Sequence, residues 1–255
     1  RKMIEKINQL KQKILFYFEK NQFKTAEKYI ASILKKSEES EEILDMLAFS
    51  LLKQSKFEDA IKVYLKLIQK YDKNDYLIFF NLGNCLGNLG HREESIEYLK
   101  RSYSLNNKSF ESLNNIGLQY EYSNKLDKAI KYYSSAIKIN KEFELGYTNL
   151  AGVLEKQGEL DKAHDLYEAC LRINKINIDA LLGLANINHM KKNYNQSNKL
   201  FLKVLKIDEN SKNAYTGLGG TLLAQGKHEN GLEMLKKGSG IVRFERGHEM
   251  KILCD

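Results

Sequence analysis

Seven small residues stand at an almost constant interval along the chain: Ala26, Ala60, Ser95, Ala129, Ala163, Ser197 and Gly231, each step 34 residues except the second, which is 35. A second column, Ala48, Gly83, Gly117, Ala151, Ala185 and Gly219, keeps the same period, and every member follows a leucine or isoleucine: Leu47, Leu82, Ile116, Leu150, Leu184 and Leu218. Self-similarity at a fixed period of about 20–50 residues restricts a chain to stacked architectures, in which each unit buries its apolar side only against its neighbours. Length then counts units rather than domains. The columns give seven, beginning near Ile7, Glu41, Tyr76, Phe110, Glu144, Ile178 and Lys212, with the one extra residue in a loop near Asp75.

One period shows what a unit is. Between Phe110 and Phe143, Phe110, Leu113, Ile116, Gly117 and Tyr120 recur at the spacing of one helical face, and Leu126, Ile130, Tyr133 and Ile137 do so again after Ser123-Asn124-Lys125. The pattern predicts two helices and a turn. Asn124 tolerates the left-handed conformation that ends a helix, and Asp127 falls in the first turn of the next, where a carboxylate offsets the dipole. The same turn position holds Asn21, Gly90, Gly158 and Gly226; Lys192 interrupts that column, and Asn193 follows it. The small columns let paired helices approach closely, so Ala129→Leu or Ala163→Leu should overpack at a cost of about 1–3 kcal/mol.

At these positions the chain resembles the tetratricopeptide repeat family. The family pattern of a large residue, then Leu with Gly or Ala, then Tyr on the first helix is matched by Leu113, Ile116, Gly117 and Tyr120, and by Tyr147, Leu150, Ala151 and Leu154 one unit later. Its second-helix pattern of Ala, aromatic, Ala is matched by Ala129, Tyr133 and Ala136, then by Ala163, Tyr167 and Cys170. The large first-helix residue is never Trp, and the Pro usual near a repeat end is replaced by Asp72, Asn107, Lys141, Lys175 and Glu209. The first unit, with Lys13 and Ile14 in the leucine and small columns, is the weakest match. The resemblance implies an all-α, right-handed superhelical solenoid of seven helix–turn–helix repeats over residues 7–245, with repeats near 7–40, 41–74, 76–109, 110–143, 144–177, 178–211 and 212–245. Gly238-Ser239-Gly240 should stop the last helix. The alternation around Ile241, Val242, Ile252 and Leu253 predicts a short β-hairpin, and residues 246–255 are expected to be a C-terminal cap or the start of a further domain.

The formal charge of +8 invites a nucleic-acid reading, but Lys alternates with Glu or Asp along most helices, and residues 37–42 are plainly acidic. That pattern fits a solvated outer face, so nucleic acid is not the expected partner. No apolar run is long enough to span a bilayer, and no membrane partner is expected. Cys85, Cys170 and Cys254 fit no disulfide or ligand spacing, which suggests a reducing, cytoplasmic setting. The five histidines lie in different units and form no metal-ligand or catalytic constellation. Gly217, Gly219 and Gly220 lie inside a helix and cannot form a phosphate loop. Neither enzymatic activity nor a cofactor or metal is expected.

One column is polar. Directly before the leucine of the first helix stand Asn81, Asn115 and Asn149 in three successive units. By the family resemblance this face lines a concave groove, and the row is similar to the asparagine ladder of the O-GlcNAc transferases. An Asn side chain offers both donor and acceptor, so such a row can hold the backbone of an extended peptide whatever its sequence. Phe80, Asn84, Asn88, Tyr122 and Asn186 are expected on the same groove, with Glu121 and Glu155. The implied function is a protein–protein interaction scaffold binding an extended or helical peptide segment. The alternatives are a substrate-recruiting arm of a larger glycosyltransferase, sulfotransferase or oxygenase, and an RNA-binding helical repeat. The basic residues with which some members clamp a chaperone's terminal carboxylate are not matched here by Lys11 alone.

Overall fold

A computed structural model describes residues 2–35, 39–239, 241–244 and 250–253 of the chain. Among them the elements run α1 (Lys2–Glu19), α2 (Phe23–Leu34), α3 (Glu41–Lys53), α4 (Phe57–Tyr71), α5 (Tyr76–Asn88), α6 (Arg92–Leu105), α7 (Phe110–Tyr122) and α8 (Leu126–Ile139). There follow α9 (Glu144–Lys156), α10 (Leu160–Ile173), α11 (Ile178–Met190), α12 (Tyr194–Ile207), α13 (Lys212–Ala224) and α14 (His228–Ser239). These fourteen helices make seven helix–turn–helix pairs. By compactness the chain divides into a first unit, residues 1–136, and a second, residues 137–255, with the boundary inside α8.

Every pair closes on the same turn. Asn21, Ser55, Gly90, Asn124, Gly158, Lys192 and Gly226 all have positive φ, between 53° and 85°. In each case the next residue's N–H donates to a carbonyl five positions back, as Lys125 does to Tyr120 and Glu159 to Leu154, both at 2.9 Å. This is the hydrogen bond of a Schellman ending, and it satisfies carbonyls that the helix end leaves free. Lys192 does not break the column: it takes the left-handed conformation itself, at φ 62°. Most first helices begin on a side-chain cap, with Ser40, Asp75, Ser109, Asn177 and Ser211 accepting from backbone N–H groups of α3, α5, α7, α11 and α13.

The two small columns face each other within each pair. Ser95 Oγ donates to the Gly83 carbonyl at 2.7 Å, and Ser197 Oγ to the Ala185 carbonyl at 2.8 Å. A Cβ on Gly219 would stand 2.8 Å from the Gly231 carbonyl oxygen. Around these contacts each core draws on three helices. In the first unit Leu44, Ala48 and Leu51 of α3 and Ala60, Tyr64 and Leu67 of α4 pack with Ile78, Leu82 and Cys85 of α5. In the second, Leu181 and Ala185 of α11 and Phe201 and Val204 of α12 pack with Ala214 and Leu218 of α13. No pair buries its apolar face alone, which is the physical requirement behind the period.

After α14 two short strands, β1 (Ile241–Phe244) and β2 (Met250–Leu253), pair antiparallel with Ile241 opposite Leu253. The cap expected over residues 246–255 falls largely outside the described residues. Among the described residues no helix is long and apolar enough to cross a membrane.

Candidate functional site

In the second unit the first helices α9, α11 and α13 enclose a cleft of about 880 Å³. Glu155 of α9 stands at one side, Asp179, Leu182 and Asn186 of α11 lie along it, and Lys212, Asn213 and Thr216 of α13 form the other side. Its floor has a simple cause in the sequence. The column that holds Asn81, Asn115 and Asn149 continues at the same period as Gly183 and Gly217. Aromatic rings from the preceding second helices fill the space so released: a Cβ on Gly183 would meet the Tyr167 ring at 2.3 Å, and one on Gly217 the Phe201 ring at 2.2 Å.

Tyr167 reaches through this gap to Glu155, and the two side chains are hydrogen-bonded. The first unit contains the same pair one period earlier, where the Tyr133 hydroxyl donates to Glu121 Oε2 at 2.7 Å. Burial pushes the Glu155 carboxyl above the usual carboxylate range, and the bond from Tyr167 only partly offsets it. Its Oε1 is shielded from solvent and accepts no hydrogen bond. Cys85 and Cys170 are buried in the core, and burial pushes their thiols up to about 12 and about 11, so neither is a reactive nucleophile. Among the described residues no three His, Cys, Asp or Glu side chains gather as a metal site.

In the first unit the asparagines form a bonded network. Asn115 of α7 donates to Asn84 Oδ1 of α5 at 2.8 Å, while Asn114 donates to Asn115 Oδ1 at 3.2 Å. Asn88, which is exposed, donates to the Asn84 backbone carbonyl at 2.8 Å. Asn81 is half-buried and faces the phenol of Tyr64, whose hydroxyl makes no hydrogen bond of good geometry. Tyr122 is exposed, with the Arg92 guanidinium 5.0 Å from its ring centre, and both border a hollow of about 330 Å³ with Asn88. Phe80 is half-buried and packs against the cluster of Ile96, Leu99 and Ile116. In the second unit Asn186 is exposed in the cleft, and Asn149 is half-buried on α9.

Models of the tetratricopeptide repeat match residues 42–74, 76–109, 110–143 and 146–176, which together make up just over half of the chain. The chain is a tetratricopeptide repeat protein. Its fold is similar to that of a tetratricopeptide repeat protein from Parabacteroides merdae, with a TM-score of 0.72 over 91% of this chain and 92% of the other at 19% identity. PilF of Pseudomonas aeruginosa superposes with a TM-score of 0.68 at 18% identity, covering 84% of this chain and 97% of PilF. YrrB, a repeat protein with an unusual peptide-binding site, gives 0.55 at 19% identity over 69% of this chain and 91% of its own. A search of curated protein sequences gives no match.

Two features of this tetratricopeptide array were not apparent from the asparagine column. The cleft lies where that column turns to glycine, and its charged residues, Asp179 and Lys212, stand near the starts of α11 and α13. The signal that could have found it is the paired recurrence of Glu121 with Tyr133 and of Glu155 with Tyr167, a carboxylate and a phenol repeating together at one period.

Proposed function

We propose that this protein is an interaction scaffold that holds an extended or helical peptide segment against the face made by its first helices. Tetratricopeptide repeat proteins generally mediate protein–protein interactions, and the observation that carries the reading here is the cleft formed by three successive first helices, α9, α11 and α13. A cleft of this size, part apolar and part polar, accepts several residues of a peptide. Asn186 and Asn213 supply donors and acceptors for its backbone, and Leu182 an apolar contact. In the first unit the side-chain bonds of Asn84 and Asn115 use one N–H and, with the bond from Asn114, two lone pairs of their two amides, which leaves capacity for a ligand. Asn81, Asn88 and Tyr122 flank it, and in the second unit Asn149 stands at the same position of its own repeat. YrrB gives a precedent for a peptide site on this fold.

Two carboxylates and one lysine line the cleft, an arrangement unsuited to a phosphate backbone. The test is selection from a random-peptide display library on the full chain, followed by hydrogen exchange with a selected peptide. Slower exchange in the first helices is expected, and replacing Asn186 and Asn213 together by Ala should weaken the peptide. Slower exchange confined to second helices, or no selection above a blank surface, would overturn the reading.

A further inference from the structure

We infer that the cleft of the second unit selects a basic residue in the bound segment, with Glu155 as the principal acceptor for its lysine ammonium or arginine guanidinium and Asp179 as a second. This rests on the reading of the cleft as a peptide site. Glu155 has no cation of its own among the described residues. Two other half-buried carboxylates have cations of their own, Glu27 with Lys56 at 2.6 Å and Glu39 with both Lys66 and Lys70, and Glu144 is satisfied instead by the amides of Asn174 and Asn177 at 2.9 and 2.7 Å. Glu155 and Asp179 form no ion pair among the described residues, and neither does Lys212 across the cleft.

Glu155 has only half of its hydrogen-bonding met. Tyr167 donates to it, while Oε1 is shielded from solvent and has no donor. A buried acceptor left without a donor is costly, and a charged donor is the partner that relieves most of the cost. The last torsion of a glutamate is broad, so the carboxylate can adjust to present an oxygen to a ligand in the cleft that Glu155 lines. The Tyr167 and Phe201 rings fill the space over Gly183 and Gly217, so the floor beside it is partly aromatic, a surface along which a long aliphatic stem can lie. Lysine and arginine have such stems, with the charge at the tip. Asp179, exposed on α11, adds a second negative charge on the same cleft, against the single positive charge of Lys212.

The experiment uses peptides selected from the random library on the full chain and three proteins: wild type, Glu155→Gln and Asp165→Asn. Glu155→Gln keeps an acceptor for Tyr167 and removes the charge. Asp165 is an exposed carboxylate on α10 and controls for general attraction of cationic peptides. The expected result is enrichment of Lys or Arg at one position, and a loss of roughly tenfold or more in affinity on Glu155→Gln but not on Asp165→Asn. Changing that basic residue to Gln in the peptide should cost about as much, and combining it with Glu155→Gln should add little further. Selected peptides without an enriched basic position, or a basic peptide equally tight on Glu155→Gln, would overturn the inference while leaving the peptide site standing. Failure to select any peptide would overturn both, and is distinguishable for that reason.

Discussion

Glycine has opposite consequences at two positions of this array. At Gly183 an added Cβ would lie 2.3 Å from the Tyr167 ring, closer than side chains tolerate, and that ring is buried with its hydroxyl bonded to Glu155. Gly183→Ala should therefore destabilise the fold by about 1–3 kcal/mol, read as a lower urea midpoint with unchanged slope. At Gly220, also inside a helix, nothing lies within 4 Å of the added Cβ. Gly220→Ala should stabilise by about 0.5–1 kcal/mol, since only the conformational freedom of the unfolded chain changes. If both variants shifted the midpoint alike, the account of the floor would be wrong. Glu155 adds a pH dependence. Burial raises its folded-state pKa above the unfolded value, so the folded protein binds the proton more tightly. Its contribution to stability is full below the ordinary glutamate range and is lost as pH rises through the raised value. Urea midpoints across this range should fall for the wild type more steeply than for Glu155→Gln, and parallel profiles would exclude Glu155 as a source.

At the scale of the element, the turn determines the conformation and the residue only adjusts its cost. Seven turns share one hydrogen-bonded ending, yet the left-handed position holds three glycines, two asparagines, a serine and a lysine. A residue with a Cβ pays about 1–2 kcal/mol there, which a glycine avoids while losing more freedom on folding. Lys192→Gly should thus stabilise the α11–α12 pair by roughly 0.5–1 kcal/mol, seen as a higher thermal midpoint. A lower midpoint would mean that the lysine stem contributes packing of its own. This also explains what could be read from the chain beforehand. Asn124 and Gly158 announce their turns by residue preference, whereas Ser55 and Lys192 do not, and only the period locates them. The small columns and the helix pairs were legible because steric demand repeats at every unit. How far Phe80 is buried was not legible, because an aromatic on the first helix reads alike whether or not its ring packs on a core cluster, as this half-buried one does. The cleft was missed because its floor depends on Tyr167 and Phe201 crossing from one pair to the next, a contact between elements that a column of glycines does not declare.

For the whole molecule, the three-helix cores set how stability is distributed. Each cluster joins a pair to the first helix of the next, and the outer ion pairs do likewise: Lys56 of one pair holds Glu27 of the one before, and Lys66 and Lys70 hold Glu39. Burial pushes the Glu27 carboxyl up, but the hydrogen bonds from Lys56 and Gln54 outweigh it and hold the group below its usual range. Such pairs are exposed enough for salt to screen them, so the apolar clusters carry most of the coupling. Stability in an array of this kind approximates a sum of unit terms and nearest-neighbour terms. Damage to one pair should accordingly stay near that pair. Ala163 of α10 is fully buried, and Ala163→Leu forces a larger side chain into the contact between paired helices. Amide exchange should speed up in α9, α10 and the adjoining α11, while α3 and α4 keep their wild-type protection. Uniform acceleration along all the helices would instead show a single cooperative unit, and the nearest-neighbour description would have to be abandoned.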